Sequence, residues 1–493
     1  MNHEPVQHRA ILERLAKKAM LDRGLLPEFS DAVWSQMEQI QSSPAVPGVN
    51  VRDLRGMPWC SIDNDDSLDI DQLSCAASLP DDQIKVLVAI ADVDGRVLNG
   101  SAIDQHARHN TATVYTPARI FPMLPEALSN GLTSLNGGEE RLAMVAEMVI
   151  GQDGDLLASD NYQAWVVNHA KLAYNATSAW LAGHAPPPEA VSAVEGLADN
   201  LYLQEKAARR LQGFRHRRGA LSLETIEANP VFSGNRIHHL EVEQKNRAKD
   251  MIADLMIAAN EATARFLLKK KFPSIRRVVR TPKRWERIVE VAQEHGTRLP
   301  DQPDAVALEK FLSSQKAANP TRFPDLSLTI IKLLGAGEYV AEPPGDSGPG
   351  HFGLAVKDYT HSTAPNRRYT DLITQRLLKA ALAGQPPPYA MDELEALAKH
   401  CTVNEDEANK IERQVGKSAV ALLLQSHVGD HYDAIATGAS PKGTWVRLLS
   451  IPVEGKLVEG YHGVDVGHRV RVQLISVDVE KGYIDFRLAK SRR

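Results

Sequence analysis

The segment SIDNDDSLDIDQLS, Ser61 to Ser74, carries five aspartates within nine residues: Asp63, Asp65, Asp66, Asp69 and Asp71. Left bare, these charges repel one another, so any fold that contains them must hydrate them or neutralise them. Two features argue against a plain solvated loop. Ile62, Leu68, Ile70 and Leu73 interleave with the acids, which turns part of the segment toward a core, and the flanks read as strands. Crowded carboxylates that lose water take up protons unless a cation offsets them. A calcium loop of the EF-hand kind does not fit: Leu68 stands where that loop needs glycine, and Ser74 where it needs glutamate. What remains is a Mg²⁺ or Mn²⁺ cluster, because these hard cations take oxygen ligands and keep positions open for phosphate and water.

The chain has 493 residues, enough for about three domains. No apolar run is long enough to span a bilayer, and MNHEPVQHRAILERL lacks a secretory core. Cys60, Cys75 and Cys401 show neither paired nor metal-type spacing, which points to a reducing cytoplasm. With a net charge of -5, a polyanionic partner would need a local basic surface or an internal channel.

The expected fold class is α+β multidomain. Residues 1–50 read as helical: Ile11, Leu12, Leu15, Ala16, Ala19 and Met20 share one face, Gly24 stops that helix, and Ser30 opens a second. A helix-turn-helix or winged-helix-like unit is expected there, with a turn-rich linker from Ser42 to Asn50. Residues 51–424 mix short apolar strands with long helices, as one α+β domain. From 425 to 493, five strand-like runs separated by Gly, Pro and Asp predict an OB-type barrel.

The spacing of Asp63, Asp69 and Asp71 resembles the catalytic segment of the RNase II/RNase R family of exoribonucleases, the RNB domain. Val88–Asn136 and His351–Leu378 resemble two further blocks of that family, in the same order. The carboxy-terminal barrel stands where the family places its RNA-binding OB domain. The resemblance implies Mg²⁺, with Mn²⁺ as a substitute, held by Asp63, Asp69 and Asp71, and it ties Asp71 most directly to cleavage. In APNRRYTDL, Pro365 reads as a helix opener that puts Arg367 and Arg368 in a first turn, where guanidinium forks and backbone N–H groups grip phosphate. By resemblance Arg367 is the transition-state arginine and Arg368 a backbone clamp; an exposed pair with an acidic partner is the plain alternative.

Further RNA contacts are expected at Tyr115, Tyr174, Tyr369 and Glu412. Tyr115 and Tyr174 match tyrosines that pack near terminal nucleotides in the family, with core aromatics as the alternative. Glu412 matches a glutamate near the ribose. Asp254 and Asn260 sit on an apolar helix, where a buried acid needs a partner, either a ribose hydroxyl or an intramolecular arginine. The other clamping aromatic of the family has no counterpart, since RHRRGALSLETIE offers leucines. Basic runs at Arg209–Arg218 and Lys269–Arg287 are either solvated helix ends or the lining of an RNA path. In the barrel, Tyr432, Trp445, Tyr461, His462, Arg469 and Arg471 make a set suited to single strands.

Two departures stand out. The family signature ends in two adjacent aspartates, and here the pair is Asp71-Gln72, which removes one formal charge. Well-known members also begin with β-rich cold-shock barrels, and residues 1–50 are helical, which predicts a wider RNA entry. The resulting expectation is a cytoplasmic, monomeric, Mg²⁺-dependent 3′→5′ exoribonuclease without a protein partner, releasing 5′-mononucleotides from single-stranded RNA. The rivals are a weak or inactive RNA-binding protein on the same fold, because of Gln72, and a metal phosphodiesterase for DNA or small nucleotides.

Overall fold

Helices α1 (His8–Asp22) and α2 (Asp31–Gln41) open the chain, and Gly24, at φ 77°, ends the first turn of chain after α1. The computed structural model describes residues 7–41, 48, 50–226, 228–242, 246–346, 348–440 and 443–489. The expected Ser42–Asn50 linker lies almost wholly outside these.

A sheet then forms from β1 (Arg52–Asp53), β2 (Cys60–Asp63), β3 (Gln72–Ser78) and β4 (Ile84–Ala91). Helix α3 (Ala102–Asn110) and a small antiparallel pair, β5 (Val114–Tyr115) and β6 (Ile120–Phe121), precede its long strands β7 (Glu140–Ile150) and β8 (Leu156–Val167) and the short β9 (Ala170–Ala173). The order is β1-β8-β7-β4-β3-β2-β9, with β4 at the centre. Its run IKVLVAIA is buried on both faces, which is why it shows no polar alternation.

The joint between β2 and β3 shapes the acidic segment. They pair only at Cys60↔Ser74 and then part. Beyond that pair the bare edge of β3 is capped by Asn200, whose amide accepts from Ala76 N at 3.1 Å and donates to Ala76 O at 2.7 Å. Asn200 belongs to α6 (Leu197–Arg217), which follows α4 (Tyr174–Leu181) and α5 (Glu189–Ser192). Together with α7 (Arg247–Lys269), these helices bury a core against Cys60, Ala76, Val86 and Val88.

A hairpin of β10 (Ala228–Ser233) and β11 (Arg236–Val242) joins α6 to α7. Next, β12 (Ser274–Val278) and β13 (Glu338–Glu342) pair antiparallel around a helical lobe. The lobe comprises α8 (Trp285–Glu294), α9 (Ala305–Ala318) and α10 (Phe323–Leu334), with its own core around Trp285, Phe311 and Phe323. Leu221 and Leu223, the leucines of the expected clamp region, pack against that core. Helices α11 (Tyr369–Ala383) and α12 (Met391–Leu424) complete the body. The two opening helices bury their faces separately: α1 joins Ile411, Val415 and Ala419 of α12, whereas Val33 and Met37 of α2 join the main core.

The carboxy-terminal runs form the expected barrel: β14 (His431–Ser440), β15 (Gly443–Leu448), β16 (Glu454–Glu459), β17 (Arg469–Asp478) and β18 (Tyr483–Leu488). It closes in the order β14-β15-β16-β18-β17 around Val446, Val472 and Phe486. Trp445 is half-buried, and Tyr461 stacks on His462 with ring centroids 4.6 Å apart. A bidentate ion pair from Arg447 to Asp325, at 2.6 and 3.1 Å, ties the barrel to α10.

Candidate active site

The acidic segment crosses from β2 to β3, and its backbone is pinned rather than loose. Ser134 Oγ accepts from Ile70 N at 2.9 Å and donates to Leu68 O at 2.9 Å, and Lys171 Nζ donates to Ser67 O at 2.6 Å. Ile62, Ile70 and Leu73 face the core as expected. Leu68 does not: it is 60% exposed, because its carbonyl, not its side chain, is what anchors the turn.

Asp71 is buried at the start of β3. Its carboxylate accepts from Asn366 N at 3.1 Å and from Arg367 Nε at 3.2 Å, so segments 296 residues apart meet there. Burial pushes the Asp71 carboxyl up to about 7; Arg367 opposes the rise and Asp69 adds to it. Burial also raises Asp69, Arg367 again opposing, and Asp63 adds to the rise. The charge of Asp63 thus hinders ionisation of Asp69, and that of Asp69 hinders ionisation of Asp71, which is the electrostatic setting a cation relieves. Oxygen donors of this kind fit Mg²⁺ or Mn²⁺. Among the described residues no three His, Cys, Asp or Glu side chains are arranged as a ligand set. Arg367 is the counter-charge on Asp71 in this arrangement. Gln72 is the first residue of β3 and half-buried, and its amide has no hydrogen-bond partner among the described residues.

The arginine pair does not sit inside a helix. α11 begins at Tyr369, and Arg368 is its extended N-cap at φ -137°. Pairing with the chain before β5 holds this stretch open: Thr113 N donates to Arg367 O at 3.0 Å, and Tyr369 N to Thr111 O at 2.8 Å. The expected first-turn placement is therefore corrected, since these bonds keep Arg367 and Arg368 out of helical geometry. Arg367 is left partly open beside Asp71, with 43% of its side chain exposed. Arg368 grips Asp371 bidentately, Nε to Oδ2 at 2.9 Å and Nη2 to Oδ1 at 2.7 Å, so the acidic-partner alternative describes it.

Tyr115 is exposed at the same opening, with Arg367, Asp69 and Asp71 around its hydroxyl. Glu412 Oε1 accepts from Tyr115 N at 2.7 Å, and burial raises the Glu412 carboxyl. Tyr174 opens α4 directly after Ala173, the register partner of Asp63. Burial pushes its hydroxyl up to about 12, with Asp63 adding to the rise. The structure therefore brings Asp63, Asp69, Asp71, Arg367, Tyr115, Tyr174 and Glu412 to one place.

Three expected contacts are spent elsewhere. Tyr369 is 0% exposed and packs in the main core, so it has no surface to offer RNA. Asp254 pairs with Arg215, the intramolecular alternative. Asn260 Oδ1 accepts from Ser362 N at 2.8 Å and from its Oγ at 2.9 Å, bracing the loop before APNRRY. The basic runs are largely committed too: Arg209 to Glu205, Arg210 to Asp82, Arg277 to Glu405, Arg280 to Glu338 and Arg287 to Glu290. Asn366 and Thr133 were not anticipated. Thr133 Oγ1 donates to Asn366 Oδ1 at 2.6 Å, which orients the backbone N–H that Asp71 accepts.

Residues 51–384 match the family model of the RNB domain. The chain belongs to the RNB family. The barrel, residues 430–489, matches the RNase II-type exonuclease C-terminal S1 domain. Ribonuclease R of Escherichia coli is 31% identical over 481 residues, covering 90% of this chain and 58% of that protein. The chain spans 57–59% of the length of three curated relatives it matches, this one among them. The structure of Mycoplasma genitalium RNase R in complex with ribose-methylated single-stranded RNA is similar at a TM-score of 0.86, with 23% identity over 97% of this chain and 78% of that one. Yeast Ssd1, described as a pseudonuclease, is similar at 0.68, with 16% identity over 92% of this chain and 56% of that one. At these identities the likeness is one of fold, and a fold shared with a pseudonuclease leaves activity to be argued from the RNB site itself.

Proposed function

We propose that this RNB protein is a Mg²⁺-dependent 3′→5′ exoribonuclease that degrades single-stranded RNA to 5′-mononucleotides. The observation that carries the reading is the Asp71–Arg367 contact at a partly open centre, with Asp69 and Asp63 beside it. The matched RNB and S1 domains and relatives bearing the name Ribonuclease R support it. Asp63, Asp69 and Asp71 would hold the ion, and Mn²⁺ suits the same oxygen donors. When bound, such an ion lowers the pKa of a water and steadies charge developing on phosphate.

The chain's own residues have separable tasks. Arg367, with its guanidinium at the opening, is placed to grip the scissile phosphate and favour its charged transition state. Tyr115 and Tyr174 offer faces on which terminal bases stack. Glu412 fixes the Tyr115 backbone, and a second acceptor oxygen remains for a ribose 2′-hydroxyl, which would favour RNA over DNA. Arg368, Asp254 and Asn260 act as positioning residues. The reading carries a monomer at work in the cytoplasm; among the described residues no helix is long and apolar enough to cross a membrane.

Gln72 favours a second reading, a weak or inactive RNA-binding protein, since one carboxylate of the acidic set becomes a neutral amide. A 5′-labelled single-stranded RNA and its DNA twin, each incubated with Mg²⁺, Mn²⁺ or EDTA, separate the two. A descending ladder from RNA alone, lost in EDTA, supports the exoribonuclease. Tight RNA binding without shortening under either metal supports the second reading.

A further inference from the structure

Asp71 and Arg367 meet from segments far apart in the chain, and a third segment touches both sides of the meeting. Three consecutive buried residues, Thr133, Ser134 and Leu135, make it up. Thr133 faces the arginine loop, where its Oγ1 donates to Asn366 Oδ1 at 2.6 Å. Ser134 faces the acidic segment, where its Oγ accepts from Ile70 N and donates to Leu68 O, each at 2.9 Å. Leu135 N donates to Ile70 O at 3.0 Å. The acidic segment is thus gripped on either side of Asp69, and the arginine loop one residue before Arg367.

This strap is itself anchored. It leaves a single π-helical turn, Ala127–Leu132, and Thr133 N donates back to Leu128 O at 3.0 Å. Arg141 donates from Nη2 to Gly131 O and from Nε to Ser134 O, each at 3.1 Å, and Asn168 Nδ2 donates to Leu135 O at 3.0 Å. Such π turns are rare and gather at functional sites. The arginine side depends on fewer bonds. Asp71 accepts from Asn366 N at 3.1 Å and from Arg367 Nε at 3.2 Å. The Asn366 side chain is buried and its Nδ2 has no partner among the described residues, so the bond from Thr133 is what holds that amide. Leu128 O lies 2.8 Å from the same hydroxyl but already accepts from Thr133 N, which frees the single hydroxyl hydrogen for Asn366.

We propose that Thr133–Leu135 is a positioning strap that sets the spacing of Asp71 and Arg367, with the Thr133 hydroxyl governing the rate of the chemical step and not the grip on RNA. This rests on the exoribonuclease reading. A buried strap touches no RNA, so its loss has no direct path to affinity. It acts through Asn366, and a displacement of about 1 Å between a carboxylate and a guanidinium that serve one reacting phosphate costs on the order of 10² in rate.

The test compares single-turnover shortening of a 5′-labelled single-stranded RNA in Mg²⁺ with anisotropy of the same RNA in EDTA, where no cleavage occurs, on the full chain. Thr133→Val exchanges the hydroxyl for a methyl and should slow shortening by roughly tenfold or more while affinity holds. Thr133→Ser keeps the hydroxyl and should restore the rate. Asn366→Ala removes the acceptor and leaves the Thr133 hydroxyl to Leu128 O, so it should slow shortening alike without orphaning a buried group, and it decides the matter if Thr133→Val does not fold. Because both changes act through one bond, Thr133→Val/Asn366→Ala should be no slower than the slower single variant. Any of four results would overturn the strap: Thr133→Val or Asn366→Ala as fast as the wild type, Thr133→Ser as slow as Thr133→Val, losses that multiply in the double variant, or rate and affinity falling together. Those results reject the strap alone, whereas a wild type that binds RNA without shortening it rejects the exoribonuclease reading and the strap with it.

Discussion

At the residue scale, Asp71 and Arg367 lean on each other, and each has a different reason to be there. Asp71 is buried and pushed up, whereas Arg367 keeps part of its side chain open. Replacing Arg367 with lysine keeps the charge but loses the planar fork, so kcat should fall by about 10²-fold or more while RNA binding changes far less. Single-turnover rates beside anisotropy would show the split; a loss confined to affinity would make Arg367 a binding residue only. Tyr369 gives the opposite forecast. As a fully buried core aromatic, Tyr369→Ala should cost about 3–5 kcal/mol of stability in denaturant melts. The crowding of aspartates in Ser61–Ser74 was readable as a feature that needs a counter-charge, whereas Asp63, Asp69, Asp71 and Arg367 were singled out by the resemblance of their blocks to the RNB family. Asn366 serves Asp71 through its backbone N–H, which no side-chain pattern records. An acidic partner was the plain alternative for the arginine pair, and only the fold shows that Asp371 takes both arms of the Arg368 guanidinium.

At the scale of elements, ion pairs decide what a basic run does. The end of α6 reads as a charged tail, but His216 Nδ1 reaches Glu309 of α9 at 3.4 Å. The Glu309 hydrogen bond raises His216, and, against the cost of burial, bonds from His216, Ser222 and Ser313 hold Glu309 below the usual glutamate range. The stabilisation from His216 is fully present below the ordinary value of 6.5 and is lost as pH rises through its raised folded value. The stabilisation from Glu309 is present above 4.5 and is lost as pH falls through its lowered folded value. The Tm gap between wild type and His216→Gln should therefore be widest between those two values and close on the alkaline side, as calorimetry across pH would show. A gap that widens with alkalinity would contradict this. The helix start at Tyr369 rather than Pro365 has a similar origin: pairing of Arg367 and Tyr369 with Thr113 and Thr111 overrides the local preference of proline, and such long-range pairing is invisible to periodicity.

At the scale of the whole molecule, the barrel was readable from five short runs with turn residues between them, because each strand carries its own alternation. Its attachment was not. Arg447 alternates outward on β15 like any surface arginine, and only the placement of α10 turns it toward Asp325. Arg447→Met should leave the Asp325 carboxylate poorly satisfied, at a cost of about 1–3 kcal/mol, and should make the barrel an earlier target for thermolysin than in the wild type. Unchanged cleavage would mean that the α12 connection alone seats the barrel. The account as a whole stands on the acidic segment acting through Asp71. The most direct test sets Asp71→Asn beside the wild type with one 5′-labelled RNA and Mg²⁺, reading binding and shortening together. The account predicts a ladder from the wild type and, from the variant, retained binding with shortening abolished. A variant that shortens RNA as the wild type does would contradict it.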